Sequence, residues 1–156
     1  MDFALPLVIL VMIVFIILIR QKSKKAAEEN KKIGAEFLAK NAKEEGVVTT
    51  DSGLQYLILE EGEGDEQPTA SSRVKVHYHG TLLDGSVFDS SVQRDEPIEF
   101  GLNQVIKGWT EGVQLMKKGG KTRFFIPAEL AYGNMSAGSI KPGSTLIFEV
   151  ELLDFK

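Results

Sequence analysis

Seventeen consecutive residues without a charge, Phe3 to Ile19, constrain this chain more than any other feature of it. As a helix rising 1.5 Å per residue they reach roughly 25 Å, just enough to cross the apolar layer of a bilayer. Asp2 bounds the run on one side, and Arg20, Lys22, Lys24 and Lys25 bound it on the other. A cleavable signal would place cationic residues before the run and a small-x-small site after it, and neither is present. A buried amphipathic helix of a soluble protein would show a periodic polar face, which this run lacks. Residues 1–22 therefore read as a single anchor with residues 3–19 in the membrane. The positive-inside rule puts the basic flank, and all that follows it, on the cytoplasmic side. The span holds no Gly and Ala4 is its only small residue, so it offers no small-xxx-small surface for close helix pairing.

Of the 156 residues, about a hundred remain once the anchor and a charged connector are set aside, the size of one domain with one core. The chain has no cysteine, which excludes disulfides, thiol nucleophiles and Cys-ligated metal sites. Its net charge of -4 is unevenly placed: eight Lys/Arg against five Asp/Glu give +3 over Arg20 to Gly46, and Val47 to Lys156 carries -6. An acidic domain is a poor phosphate-binding surface, so nucleic acid is not an expected partner.

From Ser23 to Glu45 the composition is mostly Ala, Glu, Lys and Asn, with Glu28 and Lys32, and Glu36 and Lys40, in the favourable i,i+4 order. A helical stalk over residues 23–46, ended by Gly46, is predicted. Ala26, Ile33, Phe37 and Leu38 give it only a narrow apolar stripe, enough to rest one patch on a neighbour. Beyond Val47 the period changes to two. Leu54–Ile58, Val74–Tyr78, Thr122–Ile126 and Leu146–Leu152 read as strands, and Asp84-Gly85 reads as a hairpin turn. One helix interrupts them, with Ile106, Trp109, Val113 and Met116 at steps of three and four and Gly119-Gly120 as its stop. A sheet and one short helix bury their apolar faces by crossing, so residues 47–156 are expected to form an α+β domain.

Several motifs fail on inspection. Gly120-Lys121-Thr122 resembles the end of a phosphate loop, but Leu115 stands where its first glycine belongs, and a strand follows where a helix should. Gly62-x-Gly64 lacks the third glycine of a dinucleotide fingerprint. His77 and His79 share a strand face but have no third ligand in sight, so they read as a solvent-facing pair and no metal is expected. No Gly-x-Ser-x-Gly elbow occurs. What remains is a set of aromatic residues in different elements, Tyr78, Phe88, Phe100, Trp109, Tyr132 and Phe148, accompanied by Asp89. Taken singly, each such aromatic is more often core than site.

Taken as strings, Val76-His77-Tyr78-His79-Gly80, Asp84 to Ser91, Val105-Ile106-Lys107-Gly108-Trp109, Ile126 to Gly133 and Leu146 to Leu153 resemble the FKBP-type prolyl isomerases. Gly34 to Asn41, Gly46-Val47 and Ser52 to Tyr56 are similar to the bacterial macrophage-infectivity-potentiator branch, whose N-terminal dimerisation part would here be replaced by the span. The resemblance implies a twisted antiparallel sheet wrapped around the helix, with a proline pocket between them. It implies Trp109 as the pocket floor, Tyr78, Phe88 and Phe148 as walls, Val105 and Ile106 as backbone and aliphatic contacts at the rim, and Phe100 and Ile140 as further substrate-binding residues. Tyr132 would offer a hydroxyl to a substrate carbonyl, and Asp89 a carboxylate beside the reacting amide. Asp89, Tyr132, Phe88 and Trp109 form the implied catalytic set, with no cofactor. Ile98 stands where many members carry a pocket aromatic, and the Asn134–Ser139 loop is one residue shorter than in small eukaryotic members.

The function implied is isomerisation of X-Pro bonds in polypeptides at a bacterial inner membrane, assisting folding, with macrolides such as rapamycin as inhibitors. A proline-binding or chaperone module without catalysis is the alternative.

Overall fold

The computed structural model describes residues 4–156; Asp2 and Phe3, assigned above to the flank and start of the span, lie outside the described residues. The first element, α1 (Ala4–Asn41), is one unbroken helix of 38 residues, so anchor and stalk are not separate elements. It ends at Asn41, short of the predicted Gly46. The last carbonyls are taken up by successive turns, with Ala42 N–H on Leu38, Lys43 on Lys40 and Glu44 on Asn41. Gly46 then supplies a left-handed residue at φ 82° that only glycine adopts freely. Residues 7–19 are exposed and wholly apolar, and this is one helix, among the described residues, long and apolar enough to cross a membrane.

Among the described residues, seven strands form one antiparallel sheet: β1 (Val48–Thr49), β2 (Gln55–Glu60), β3 (Arg73–Thr81), β4 (Val87–Ser90), β5 (Ile98–Gly101), β6 (Lys121–Ile126) and β7 (Leu146–Phe155). Their order is β1-β2-β6-β7-β3-β4, with β5 also on β3. The long central strands carry the alternation on which the sequence reading relied. Val74, Val76 and Tyr78 of β3 and Leu146, Phe148, Val150 and Leu152 of β7 face the core, while Arg73 and Lys75 face out. β4 and β5 share one edge of β3: β4 pairs with His79 to Thr81 and β5 with Arg73 to Val76. The chain between them leaves the sheet as a short turn, α2 (Ser91–Arg94). The Asp84-Gly85 hairpin forms between β3 and β4, with Gly85 at φ 85°.

The helix α3 (Lys107–Val113) packs on the sheet at β6. It is shorter than its apolar spacing suggests: Ile106 caps it in extended conformation, and Met116 packs into the core from the tighter turns that follow. Close approach is possible because glycine stands at both points of contact with β6. A Cβ on Gly108 would come within 2.6 Å of Ile126, and one on Gly112 within 2.6 Å of Phe124.

Candidate active site

Between α3 and the β3, β5 and β7 strands lies a cleft of about 490 Å³. At its floor Trp109 is 5% exposed and is fixed by edge-on rings. Tyr78 lies 5.4 Å away at 82°, Phe148 5.2 Å away at 90°, and Phe100 tilts against it at 5.6 Å. Edge-to-face packing sets the positive rim of one ring against the negative face of another, which holds the indole in one orientation. Ile98, Val105 and Ile106 complete the apolar wall, with Gln104 and Tyr132 at the mouth.

Of the ten residues singled out from the sequence, the structure brings eight to this cleft: Tyr78, Asp89, Phe100, Val105, Ile106, Trp109, Tyr132 and Phe148. Phe88 and Ile140 are outside its lining. Phe88 stands behind the wall, edge-on to Phe148 at 5.2 Å and 90°, and it covers Gly80, where any Cβ would strike its ring. Ile140 is 5% exposed and belongs to the core beneath the rim.

The polar edge is a closed set. Tyr78 Oη donates to Asp89 Oδ2 at 2.5 Å, Arg94 Nη1 donates to Asp89 Oδ1 at 2.5 Å, and Arg94 Nη2 donates to Tyr78 Oη at 3.0 Å. The Arg94 guanidinium also stands 5.9 Å from the centre of the Tyr78 ring, within cation–π reach. Burial pushes the Asp89 carboxyl up, but the hydrogen bonds from Tyr78 and Arg94 outweigh it and hold the group below its ordinary value of 3.8. Burial, reinforced by the bond to Asp89, raises the Tyr78 phenol.

Arg94 and Gln104 were not found from the sequence. Arg94 reaches Asp89 because α2 turns the chain back within five residues. Ser90 caps that turn by accepting from Gln93 N–H at 3.1 Å, and Asp95 closes it in left-handed conformation at φ 49°. A serine cap between an aspartate and an arginine is the one local signal of this. Ser91, fully buried, accepts from the Tyr78 N–H at 2.7 Å and so ties the turn to β3. The two histidines serve the same turn. His77 Nδ1 lies 2.9 Å from Ser91 Oγ, and His79 Nδ1 2.8 Å from Ser90 Oγ. They are half-buried and bonded to serine, not the solvent-facing pair expected.

Behind the floor, Glu111 of α3 accepts from Thr50 Oγ1 at 2.7 Å and from Ser52 Oγ. The turn between β1 and β2 is thereby clamped to the helix that carries Trp109.

Residues 64–153 match the family described as FKBP-type peptidyl-prolyl cis-trans isomerase. Residues 12–58 match the domain amino terminal to it, so that part is represented in this chain over those residues and is not simply replaced by the span. The chain is 58% identical over 136 residues to the FKBP-type peptidyl-prolyl cis-trans isomerase FkpA of Aeromonas hydrophila, covering 87% of this chain and 50% of that protein. It is 48% identical to the outer membrane protein MIP of Legionella longbeachae, covering 85% and 57%. The crystal structure of FkpA from Escherichia coli superposes with a TM-score of 0.89 at 44% identity, covering 100% of this chain and 73% of that one. The chain spans about half the length of the curated relatives it matches.

Proposed function

Because this chain belongs to the FKBP-type peptidyl-prolyl cis-trans isomerase family, we propose that its cleft catalyses rotation about X-Pro bonds of polypeptides at a membrane surface and so assists their folding. The observation that carries this reading is the Trp109 floor, boxed by Tyr78, Phe100 and Phe148, with the Asp89 carboxylate held at its edge.

Such a cleft needs neither a nucleophile nor a bond-breaking step. The X-Pro bond turns slowly because its partial double-bond character sets a barrier of roughly 18–20 kcal/mol. A catalyst has only to hold the twisted amide more tightly than the planar one. The planar amide is the more polar form, with resonance charge on its oxygen and nitrogen. An apolar, water-poor pocket therefore penalises the ground state more than the twisted state.

In this reading the proline ring rests on Trp109, between Tyr78 and Phe148, with Phe100, Val105 and Ile106 enclosing it. Tyr132 donates to a substrate carbonyl, and Asp89, kept ionised by Tyr78 and Arg94, adds a fixed negative field beside the turning bond. Phe88 and Ile140 act by backing the wall and the rim. The chain divides by role into an anchor at 1–22, a stalk at 23–46 and the isomerase domain at 47–156. The anchor crosses a bacterial inner membrane once, with the basic flank and the domain on the cytoplasmic side. An external reporter that is active when fused at Lys156 would reverse that orientation.

The test is the cis-to-trans relaxation of an X-Pro peptide with the full chain in detergent, with and without rapamycin. Acceleration suppressed by the macrolide is expected. Acceleration that persists keeps the enzyme but alters the account of the rim, where Ile98 replaces an aromatic. Tight peptide binding without acceleration would favour the proline-binding module.

A further inference from the structure

Beyond its apolar run, α1 is seated on the domain along residues 27–41. Ala27 is 1% exposed, and its backbone lies so close to Gly143 that a Cβ there has no room. Asn30 Nδ2 donates to the Pro142 carbonyl at 2.8 Å, and the Thr145 side chain occupies the space over Gly34. Further along, Phe37 packs on Phe125 at 6.0 Å. Asn41 Nδ2 donates to Gln55 Oε1 at 2.8 Å, and Gln55 Nε2 to the Leu38 carbonyl at 2.9 Å. Ala27 and Asn41 are about 21 Å apart along the helix axis, and a rod fixed at both ends of such a length does not pivot on its seat.

The first of these contacts also fixes the cleft. Gly143 N–H donates to the Gly133 carbonyl at 2.8 Å, and Gly133 follows Tyr132 at the cleft mouth. One glycine thus joins α1 at Ala27 to the Tyr132 edge. Ala27 lies eight residues past Ile19, about 12 Å along a helix axis. Headgroups fill roughly 5–8 Å on each side of the apolar layer. With the apolar run ending at Ile19 in that layer, Ala27, which Gly143 joins to the Tyr132 edge, stands a few ångströms outside the headgroups. The exposed Arg20, Lys22, Lys24 and Lys25 pin the depth by their attraction to anionic lipid.

We propose that the preferred substrates are X-Pro bonds in polypeptide segments emerging from the same bilayer, within roughly 10–20 Å of its apolar surface as the helix rise sets it. This rests on the isomerase reading of the cleft and on insertion of the apolar half of α1. A domain on a loose tether would search a deep shell of solvent. This one is confined to one layer, and a bond confined to the same layer meets it at high effective concentration.

The test co-reconstitutes the full chain with single-span substrate peptides in nanodiscs of phosphatidylcholine and phosphatidylglycerol. One peptide carries a labelled X-Pro bond about five residues past its span, roughly 17 Å out if extended. The other carries the same bond on a stiff helical spacer of about 30 residues, roughly 45 Å out. A soluble peptide of the same sequence is the reference, and exchange rates are read by NMR. The near bond is expected to turn over at least tenfold faster than the far one. Seven helical residues inserted between Ser23 and Lys24 lift the domain by about 10 Å. That insertion should slow the near bond several-fold and leave the soluble-peptide rate unchanged. Near and far rates within a factor of two, or an insertion without effect on the near bond, overturn the inference while the isomerase reading stands. Failure to accelerate the soluble peptide overturns the isomerase reading instead.

Discussion

The apolar half of α1 and the cleft are both built from apolar side chains, and in opposite ways. The first half of α1 is convex, with residues from Leu7 to Ile19 between 44% and 62% exposed and no polar side chain among them. The cleft is concave, its Ile98, Phe100, Trp109 and Phe148 arranged beside the Tyr78–Asp89–Arg94 set. A convex apolar surface partitions into any apolar medium and selects nothing. A concave one with fixed polar groups selects a ligand and its orientation. The first should therefore tolerate apolar exchanges freely, and the second should respond to single atoms.

The strongest attempt to break that contrast is Trp109→Ala. Removing an indole packed on three rings leaves a cavity, and domain stability should fall by about 3–5 kcal/mol in urea unfolding. X-Pro relaxation should drop to the uncatalysed rate at a temperature where the variant is still folded. Leu10→Ala should change neither quantity. A Trp109→Ala chain that keeps its rate would mean the cleft floor does not select.

On the convex surface the corresponding attempt is Ile13→Lys. A lysine near the middle of a span costs about 2.5–3.5 kcal/mol on insertion scales, which corresponds to a membrane partition constant lower by roughly a hundredfold. Flotation with lipid vesicles reads this, and soluble-peptide turnover should be unchanged. Ile13→Leu should leave flotation as it was.

Asp89→Asn sharpens the contrast with a change of one heavy atom. Hydrogen bonds to a charged group contribute about 1.5–3 kcal/mol, so turnover should fall roughly ten- to a hundredfold with little change in peptide affinity. Unchanged turnover would remove Asp89 from the mechanism. The pH profile carries the same information. The folded carboxyl is held below its ordinary value of 3.8, so its contribution is complete above that value and is lost as pH falls through the lowered one. Relaxation rates should stay level as pH drops to about 4 and decline only below it. The Asp89→Asn chain should lack that decline.

What could be read from the sequence follows the same division. β3 and β7 were legible because each long strand buries every second residue. β4 and β5 were not, since four residues carry too little alternation and each borrows half of β3 as its partner. String resemblance located the cleft but could not tell which ring faces it. Phe88 follows the motif and yet stands behind Phe148, because facing is set by cross-strand geometry. Arg94 was hidden for a related reason: its approach to Asp89 depends on the α2 turn, which no apolar period marks. The seat of α1 was missed where its contacts are small or amide side chains. Ala27, Asn30, Gly34, Phe37 and Asn41 recur at steps of three and four, a helical face written largely without hydrophobic residues. Ile33, counted in the predicted stripe, is 55% exposed.

The smallest effect is expected at Glu111, which touches the cleft only through the helix. Its carboxylate holds the hydroxyls of Thr50 and Ser52, but α3 is already positioned by Gly108 on Ile126 and Gly112 on Phe124. Thr110 Oγ1 adds a bond to the Leu102 carbonyl at 2.8 Å. Glu111→Gln keeps the shape and one acceptor, so the loss should be about 1 kcal/mol, a few degrees in Tm. KM for an X-Pro peptide should rise about twofold, by the same conversion of a fraction of that energy, and kcat should hold, since the rings around Trp109 are undisturbed. A large fall in kcat would mean that packing alone does not fix the floor. It would place the β1–β2 turn, two strands from the cleft, among the groups that set the orientation of the indole.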